Sequence, residues 1–535
     1  MKSKLYISII CSLIFLLLLA ACGGDETKQR DQKNTDREEL VLAVGSEPEE
    51  GFDPTTGWGR YGSPLFQSTL LQHDPDFNIT YDLAENYDVS DDGLTWTVDI
   101  RKDVKFSDGE ALTADDVVFT FETAKVSGSV IDLSNLESIE ATDEYTVEFN
   151  LKEPQSAFID LLVTTGIVPE HAYDKQYNEN PIGSGPYQLE QWDKGQQIIV
   201  TENPYYYGKK PYFKKLTFLF LNEDTAFAAA KAGEVDVASV TTLWIEEEVE
   251  GMKLLELESV DNRGIMFPYV PEGDVTAEGY PIGNDVTADI AIRQAINLAV
   301  DRPSLVDGVL QGFGTPAYSV ADQLPWWNEE TKFEDGRVEE AKRILEEAGW
   351  IVNQNGIREK NGITAEFQLL YPAGDQVRQS LSMAVADMIE PLGIAIQTEG
   401  HSWNELARLM YSNPVMMGWG SYSPLEMYNL YSSNTKGIGF YNANYYGNSI
   451  VDQYMEQALN SPSQEEAYEL WKKAQWDGKT GFSALGDAPW AWLVNLSHYY
   501  LVNERLDIGE QKVQPHGHGW PITDFIEEWR WKEQE

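Results

Sequence analysis

The segment 84–106 reads AENYDVSDDGLTWTVDIRKDVKF, and its pattern leaves few local structures open. Apolar residues from Leu94 to Ile100 alternate with polar ones, and this period of two predicts a strand with one buried face. The sequence Asp-Asp-Gly at 91–93 predicts the turn that begins the strand. After a second turn, Thr113-Ala-Asp-Asp116 precedes an apolar run and predicts a helix with a capping box. Alternating strands and helices of this kind favour an α/β or α+β protein.

As a string, the same segment resembles the signature of the family 5 solute-binding proteins, the peptide and nickel receptors of bacterial ABC importers. The order A-(7 residues)-D-G-L-T-W-T-V-x-I-R-x-D-V-x-F-x-D-G-E is nearly complete. PIGSGPY at 181–187 and IRQAINLAVDR at 292–302 resemble further motifs of that family, in the same order. The resemblance implies an α/β, type II periplasmic-binding-protein fold, with two lobes joined by a hinge and a subdomain inserted in the first lobe.

The N-terminus has the layout of an export signal. Lys2 and Lys4 precede an apolar run at 5–21, and Leu-Ala-Ala-Cys at 19–22 resembles a bacterial lipobox. We therefore expect a lipoprotein signal peptide at 1–21 and a lipidated Cys22, with a plain membrane anchor as the alternative. Residues 23–38 contain no apolar side chain and predict a disordered tether. Two or more acyl chains would hold such a protein on the outer face of the cytoplasmic membrane.

The family order of the motifs predicts how the rest of the chain is divided. The first lobe is expected to comprise 39–72, 180–265 and 490–535, and the inserted subdomain 73–179. The second lobe is then expected at 266–489. A chain of 60.3 kDa exceeds the size of one hydrophobic core, so several domains are expected from length alone.

Charge and motif content exclude several functions. With 88 acidic against 39 basic residues, the formal charge is -49, which disfavours nucleic acid and anionic lipid headgroups as partners. Cys11 and Cys22 are the only cysteines, so the mature chain has no thiol pair for a disulfide or a redox site. The sequence lacks a G-x-S-x-G elbow, an H-E-x-x-H motif and a P-loop, so we expect a protein that is not an enzyme.

The best candidate for ligand contact is the segment 419–431, WGSYSPLEMYNLY, which resembles the family's W-G-x-x-x-D-P loop. In peptide receptors of the family, the Asp of that loop pairs with the peptide's α-ammonium group. In this chain Ser423 precedes Pro424 as the Asp precedes the motif's proline, with one residue fewer after Gly420, and Glu426 is a candidate for the missing carboxylate. Arg60 is the cation expected to bind a ligand carboxylate. The full set of expected ligand-binding residues is Trp58, Arg60, Tyr61, Trp403, Trp419, Tyr422, Ser423 and Glu426.

Two of the six histidines stand one residue apart in the Gly/Pro-rich stretch QPHGHGWP at 514–521. Imidazole is a good ligand for nickel, copper and zinc, and flanking glycines let the backbone adapt to a metal. His516 and His518, with His401 from the second lobe, are therefore candidate metal ligands. A structural turn is the alternative interpretation. The metal would be transported nickel, and no cofactor is expected.

Together these features predict the receptor of an ABC importer, which captures a nickel chelate or an oligopeptide between its lobes. Hinge closure would signal capture to a permease, and a separate ATPase subunit would supply energy. The expected protein is a monomer. Nickel is slightly favoured over peptide by Ser423 and the histidine pair. A surface sensor or adhesion lipoprotein that reuses the fold is the alternative outside transport.

Overall fold

A computed structural model describes residues 37–533, except 49, 128–130, 132, 243, 462 and 518. Helices and strands are numbered in chain order. None of the helices in the described part is long and apolar enough to cross a membrane. The α-helices are α1 (Ala114–Val126), α2 (Phe158–Thr164), α3 (Glu223–Ala232), α4 (Ile290–Ala299), α5 (Arg302–Val309), α6 (Val338–Glu347), α7 (Gln376–Ile389), α8 (Trp403–Leu409), α9 (Leu425–Tyr431), α10 (Ser449–Leu459) and α11 (Gln464–Gln475).

A seven-stranded sheet forms the centre of the first lobe. Its spatial order is β12 (Met252–Leu257), β24 (His498–Asn503), β11 (Val237–Val240), β1 (Glu39–Ala43), β10 (Lys215–Leu219), β9 (Gln197–Glu202) and β8 (Tyr187–Asp193). Strand β1 runs parallel to both of its neighbours, and the other pairs are antiparallel. Apolar side chains are buried on both faces of this sheet, so it lies inside the lobe.

A six-stranded sheet forms the centre of the second lobe. Its order is β16 (Gly314–Pro316), β23 (Trp490–Leu496), β13 (Asn262–Met266), β22 (Val415–Met417), β20 (Glu366–Pro372) and β21 (Ala395–His401). Helices α4, α5 and α7 pack on one face, where their apolar sides join a core that includes Ile292 and Leu381. Helices α9, α10 and α11 belong to the core on the other face.

The segment between the first strands and β8 contains a separate sheet. Four antiparallel strands lie in the order β4 (Ala84–Val89), β5 (Thr95–Ile100), β7 (Thr146–Leu151) and β6 (Leu136–Asp143), with α1 and α2 covering their apolar face. This is the expected inserted subdomain. Short ladders complete the fold: β2 (Leu71–His73) with β3 (Ile79–Tyr81), β14 (Asp274–Val275) with β15 (Pro281–Ile282), β17 (Ile351–Val352), β18 (Arg358–Lys360) and β19 (Ile363–Thr364), and β25 (Leu506–Asp507) with β26 (Arg530–Trp531).

The locally encoded elements form where the sequence predicts them. Strand β5 buries Trp96, Val98 and Ile100 on one face. Helix α1 begins after Thr113 with the predicted capping box, in which Asp116 accepts the Thr113 backbone N–H at 2.9 Å. Helix α3 ends at Gly233, whose φ of +69° is the left-handed conformation that favours glycine.

The change between the two sheets falls at positions that differ from the expected lobe boundaries of 265 and 490. Strands β13 and β23 both belong to the six-stranded sheet, so the chain crosses at 258–261 and again at Ser497. Both strands are buried, but β13 reads NRGIM and has no apolar pattern that favours one sheet, so only the pairing of β13 with β23 and β22 assigns the two strands. At the crossing, the Ser259 hydroxyl donates to the Leu496 carbonyl and ties the two connections together.

Candidate functional site

Two cavities open in the cleft between the lobes. One has a volume of 640 Å³ and is lined by the first lobe, the inserted subdomain and the 419–441 region of the second lobe. The other, of 960 Å³, lies nearer the crossing connections. Arg60 and Tyr61 border both cavities, so the loop that carries them separates the two spaces. Volumes of this size suit small organic ligands.

The Arg60 loop is held by its own turn chemistry. A short 3-10 helix at Pro54–Thr56 begins with Asp53, whose carboxylate accepts the Thr55 backbone N–H at 2.9 Å. Gly57 ends this helix with a left-handed φ of +117°. Trp58 then anchors the loop to the core of the first lobe, because its indole N–H donates to the Pro64 carbonyl at 2.7 Å. Its ring packs edge-on against Phe52 and Trp520. Trp58 thus holds the loop and also lines the larger cavity.

Arg60 is the basic side chain that this loop presents to the cleft. The guanidinium lies 5.1 Å from the centre of the Tyr61 ring, and the side chain is half-buried. Within the described part of the chain, it makes no ion pair with a carboxylate within 4 Å. A planar guanidinium in this position has donors available for a ligand carboxylate.

Glu426 faces the same cavity from the first turn of α9, but its oxygens are already engaged. They accept the backbone N–H groups of Gly420 at 3.2 Å and of Ser421 at 3.0 Å, so the side chain holds the 419–426 loop in its turn. Burial raises the pKa of Glu426 to about 7, against the lowering effect of these N–H groups and of Arg60. The residue expected to replace the family's Asp therefore has a structural task in the loop.

Ser423 and Tyr422 connect this loop to other parts of the molecule. The Ser423 hydroxyl donates to the Asp160 carboxylate of the inserted subdomain at 2.6 Å. The Tyr422 hydroxyl donates to the Val513 carbonyl, and its ring packs on Phe77 at 5.0 Å. The Trp419 carbonyl accepts the Asn262 backbone N–H, and the Trp419 N–H donates to the Asn262 side-chain Oδ1, each at 3.0 Å. The Trp419 ring stacks obliquely on Tyr441 at 5.6 Å. All three sequence-predicted residues, Trp419, Tyr422 and Ser423, line the 640 Å³ cavity.

Trp403 is located away from both cavities. It begins helix α8, is 46% exposed and packs edge-on against Phe440. The guanidinium of Arg378 lies 5.8 Å from its ring centre. Trp403 therefore lies on the surface of the second lobe, whereas the other predicted aromatic residues border the cleft.

The candidate metal ligands do not converge. His516 contacts the Asp261 carboxylate through Nδ1, and His498 lies 3.6 Å from the other oxygen of that carboxylate. His401, at the end of β21, has Glu399 and Glu405 as neighbours at 3.4 and 3.8 Å. His518 lies outside the described residues. In the part of the chain that is described, no three His, Cys, Asp or Glu side chains form a group able to hold a metal ion.

Asp261 is the centre of a charged cluster at the crossing connection. Burial alone would raise its pKa, but Arg263, His498 and His516 hold the pKa of this carboxyl well below its usual range. Arg263 donates to it at 2.5 Å. The ionised Asp261 therefore ties β13, β24 and the 514–521 segment together at the hinge, where it borders the larger cavity.

Sequence reasoning missed several residues of the cavity wall. Asp160, His73 and Lys152 come from the inserted subdomain or its edge and meet the second lobe only in the folded chain. One signal was present: Asp160 is the single charged residue in the apolar run FIDLLV at 158–163. An isolated carboxylate on the buried side of a short helix indicates a specific partner or a ligand.

Two α/β lobes that are connected by two short crossings and enclose a partly polar cleft define a hinged binding protein for a small solute. The model of the "Bacterial extracellular solute-binding proteins, family 5 Middle" matches residues 78–441, more than half of the chain. The chain belongs to this family, and it is an extracytoplasmic substrate-binding protein of an ABC importer. Its type II periplasmic-binding-protein fold, expected from sequence, is confirmed.

Two similar proteins support the assignment. Protein XP55 of Streptomyces lividans is 31% identical over 516 residues, which covers 94% of this chain and 91% of that protein. The oligopeptide-binding protein AppA of Bacillus subtilis is 28% identical over 83% of this chain and 86% of its own length.

Solved structures extend the comparison to bound ligands. NikZ of Campylobacter jejuni in complex with Ni(L-His) is similar with a TM-score of 0.75 and 25% identity, over 92% of this chain and 99% of that one. AppA of Bacillus subtilis in complex with a nonapeptide is similar with a TM-score of 0.66 and 26% identity, over the same shares. Members with two different kinds of ligand thus share this fold.

Proposed function

We propose that this protein captures short peptides with free termini in the 640 Å³ cavity and delivers them to a membrane permease. The observation that carries the proposal is the charge of the cavity wall. The wall combines the guanidinium of Arg60 with the carboxyl groups of Asp160 and Glu426, and the exposed Lys152 and Glu153 add one charge of each sign. A zwitterionic ligand presents one carboxylate and one ammonium group, which are the charges such a wall complements.

The cavity also suits the middle of a peptide. Tyr61, Trp419, Tyr428 and Tyr441 supply aromatic surface, and Gln155 and Asn429 supply side-chain amides. A peptide can be held through its backbone by amides while its side chains occupy tolerant aromatic surroundings.

A nickel chelate with small carboxylate or histidine ligands is the second candidate. It is favoured by the similarity to NikZ in complex with Ni(L-His) and by the imidazole of His498, which lines the larger cavity, with the imidazole of His516 nearby on Asp261. Asp261 is already bound to both imidazoles through ion-pair or hydrogen-bond contacts. A metal would have to compete with that carboxylate, so we place this candidate second.

Native mass spectrometry of the protein purified from its host tests the choice, followed by calorimetric titration with a random tripeptide library and with nickel plus histidine. We expect a retained mass that corresponds to peptides, and saturable binding of the library. Retention of nickel with histidine, and no response to the library, would contradict the peptide proposal. His516→Ala/His518→Ala is the matched variant: it should leave peptide binding unchanged.

We further propose that the mature chain is a monomer anchored through a diacylglycerol on Cys22, at the outer face of the cytoplasmic membrane. The lipobox-like sequence at 19–22 and the polar segment 23–38 support this location. Membrane fractionation of cells that express the full chain checks it. We expect the wild-type protein with the membranes and a Cys22→Ala variant with altered processing and reduced membrane association. A wild-type protein found free in the medium would contradict the anchor.

Transport and surface sensing differ in the phenotype of a deletion. We expect cells without this protein to lose peptide uptake. A signalling or attachment defect with normal uptake would instead favour the sensor or adhesion alternative.

A further inference from the structure

The cavity contains a carboxylate that the family motif does not include. Asp160 lies on α2 of the inserted subdomain, and its Oδ2 accepts the Ser423 hydroxyl across the cleft at 2.6 Å. Ser423 stands where the family's loop has its Asp. The two elements come from segments that are 263 residues apart, yet they bring a carboxylate to the same wall of the cavity.

Asp160 is unusually short of partners for a buried charge. It is 8% exposed, and within the described residues the Ser423 hydroxyl is the one hydrogen-bond donor to its carboxylate. No described Lys, Arg or His lies within ion-pair distance of it. Burial raises the pKa of Asp160 to about 7, the response of a carboxyl that lacks a positive neighbour. A buried carboxylate that borders a cavity and has free acceptor positions would be stabilised by a cationic group of a ligand.

Glu426, the other carboxyl in the wall, is less suited to bind a cation. Its two oxygens hold the N–H groups of Gly420 and Ser421, and Arg60 already acts on its charge. Pulling Glu426 toward a ligand would leave two backbone donors without their acceptors, which costs free energy. Asp160 can accept a ligand without breaking any bond in the loop.

We propose that Asp160 binds the ammonium group of the transported ligand and that the Ser423 hydroxyl orients the Asp160 carboxylate for this contact. The inference rests on the proposed peptide function and deepens it. The carboxylate that pairs with the ligand's amine then belongs to the inserted subdomain. In the family motif, that carboxylate belongs to the facing loop of the second lobe. Because Asp160 and Ser423 belong to different lobes, an ammonium group that binds here also stabilises the closed arrangement of the two lobes.

Two tripeptide libraries test the assignment by calorimetry: random tripeptides with free N-termini and the same tripeptides with acetylated N-termini. Acetylation removes the positive charge and adds little volume. We expect the wild-type protein to bind the free library about 30-fold to 100-fold more tightly than the acetylated one, as for a lost buried charge pair. Asp160→Asn should lower the affinity for the free library and abolish the preference.

The decisive variant is Asp160→Asn/Ser423→Asp, which returns the carboxylate to the family position. We expect it to restore at least part of the preference for free N-termini, which a purely structural role of Asp160 would not predict. The matched control is Ser156→Ala. The Ser156 hydroxyl also bridges the subdomain to the second lobe, with the Ala458 carbonyl at 2.8 Å, but it carries no charge. This variant should weaken both libraries equally and keep the preference.

Three results would overturn the assignment. Equal binding of both libraries by the wild-type protein would overturn the role of Asp160 and leave the proposed peptide binding intact. This result needs no variant, so it holds even if Asp160→Asn fails to fold. Retention of the full preference in a folded Asp160→Asn protein would transfer the role to another residue. Binding of neither library by the wild-type protein would remove the proposed function together with this inference.

Discussion

At the scale of single residues, the cleft depends on which polar groups are satisfied by the protein and which are left for a ligand. Glu426 and Asp261 are held by protein donors, whereas Arg60 and Asp160 keep capacity for further bonds. Buried polar groups without partners destabilise a protein unless a ligand completes them. The unfilled capacity of Arg60 and Asp160 is therefore the clearest residue-level indication of where the ligand binds.

Arg60→Gln tests this distinction on the cationic side. The substitution leaves a shorter polar side chain that can still donate a hydrogen bond, and it removes the charge that a ligand carboxylate would meet. We expect peptide affinity, measured by calorimetry, to fall by about 10-fold to 100-fold. Trp403→Ala is the control, because Trp403 is exposed outside both cavities, and it should leave the affinity unchanged. Equal losses in the two variants would contradict the site.

Asp322 is a buried carboxyl outside the smaller cavity, and its raised pKa should make the stability of the protein depend on pH. Its Oδ2 accepts the Tyr318 N–H at 2.8 Å, and burial raises its pKa to about 7. Between about pH 4 and pH 7 the folded protein keeps a proton that the unfolded chain has lost, so this group lowers stability as pH rises.

Asp322→Asn should remove that dependence. We expect the free energy of unfolding of the variant, relative to wild type, to improve by about 2 to 4 kcal/mol from pH 4 to pH 7.5. Urea unfolding followed by tryptophan fluorescence at the two pH values measures it. Asp307→Asn, an exposed site in the same lobe, should show no such trend. A pH-independent difference between Asp322→Asn and wild type would show that Asp322 is ionised throughout.

At the scale of elements, the ends of some helices are determined by residues within the helix and directly beside it. Asn222 caps the start of α3 through the Thr225 N–H at 2.9 Å, and Gly233 ends it in the left-handed conformation. Gly308 lies in the last turn of α5 and does not take a positive φ, so glycine has no such task there. A Cβ atom would meet no neighbour within 4 Å at either glycine, so the backbone conformation alone decides the effect of a methyl group.

The pair Gly233→Ala and Gly308→Ala should therefore shift stability in opposite directions. We expect Gly233→Ala to destabilise the protein by about 1 kcal/mol, because alanine is strained at a positive φ. Gly308→Ala should stabilise it by about 0.5 to 1 kcal/mol, because alanine loses less conformational entropy than glycine in a helical conformation. Chemical unfolding of the two variants measures both, and shifts of the same sign would contradict the assigned helix end.

The same contrast explains what the sequence could predict. Strand β5 and the capping box at Thr113 depend on neighbours within a few residues, and their positions are confirmed. The assignment of β13 and β23 depends on pairing across more than 200 residues, so the expected boundaries at 265 and 490 differ from the crossings. The contact of Asp160 with Ser423 is equally non-local. Local patterns could not place those two side chains in one cavity.

At the scale of the whole molecule, the cleft is closed by contacts between the inserted subdomain and the second lobe. Ser156 bonds to the Ala458 and Leu459 carbonyls, and Asp160 bonds to Ser423. The chain links the two lobes at the short crossings at 258–261 and 497, and beside them the 513–516 segment bonds to Gly420 and Tyr422 of the second lobe. Few bonds cross the cleft, so opening about these crossings costs little compared with unfolding either lobe.

Small-angle X-ray scattering of the protein with its natural ligand removed tests this hinge. We expect the radius of gyration to fall when the free tripeptide library is added, because the ligand stabilises the closed arrangement. The acetylated library should produce a smaller change at the same concentration. An identical scattering profile with and without ligand would contradict ligand-driven closure.

The most direct test of the central claim is a crystal structure of the protein purified from its host with its ligand retained. We predict density for a short peptide in the 640 Å³ cavity, with its carboxylate on Arg60 and its ammonium group on Asp160. Density for a metal chelate beside His498 and His516 in the larger cavity, with the smaller one empty, would contradict it.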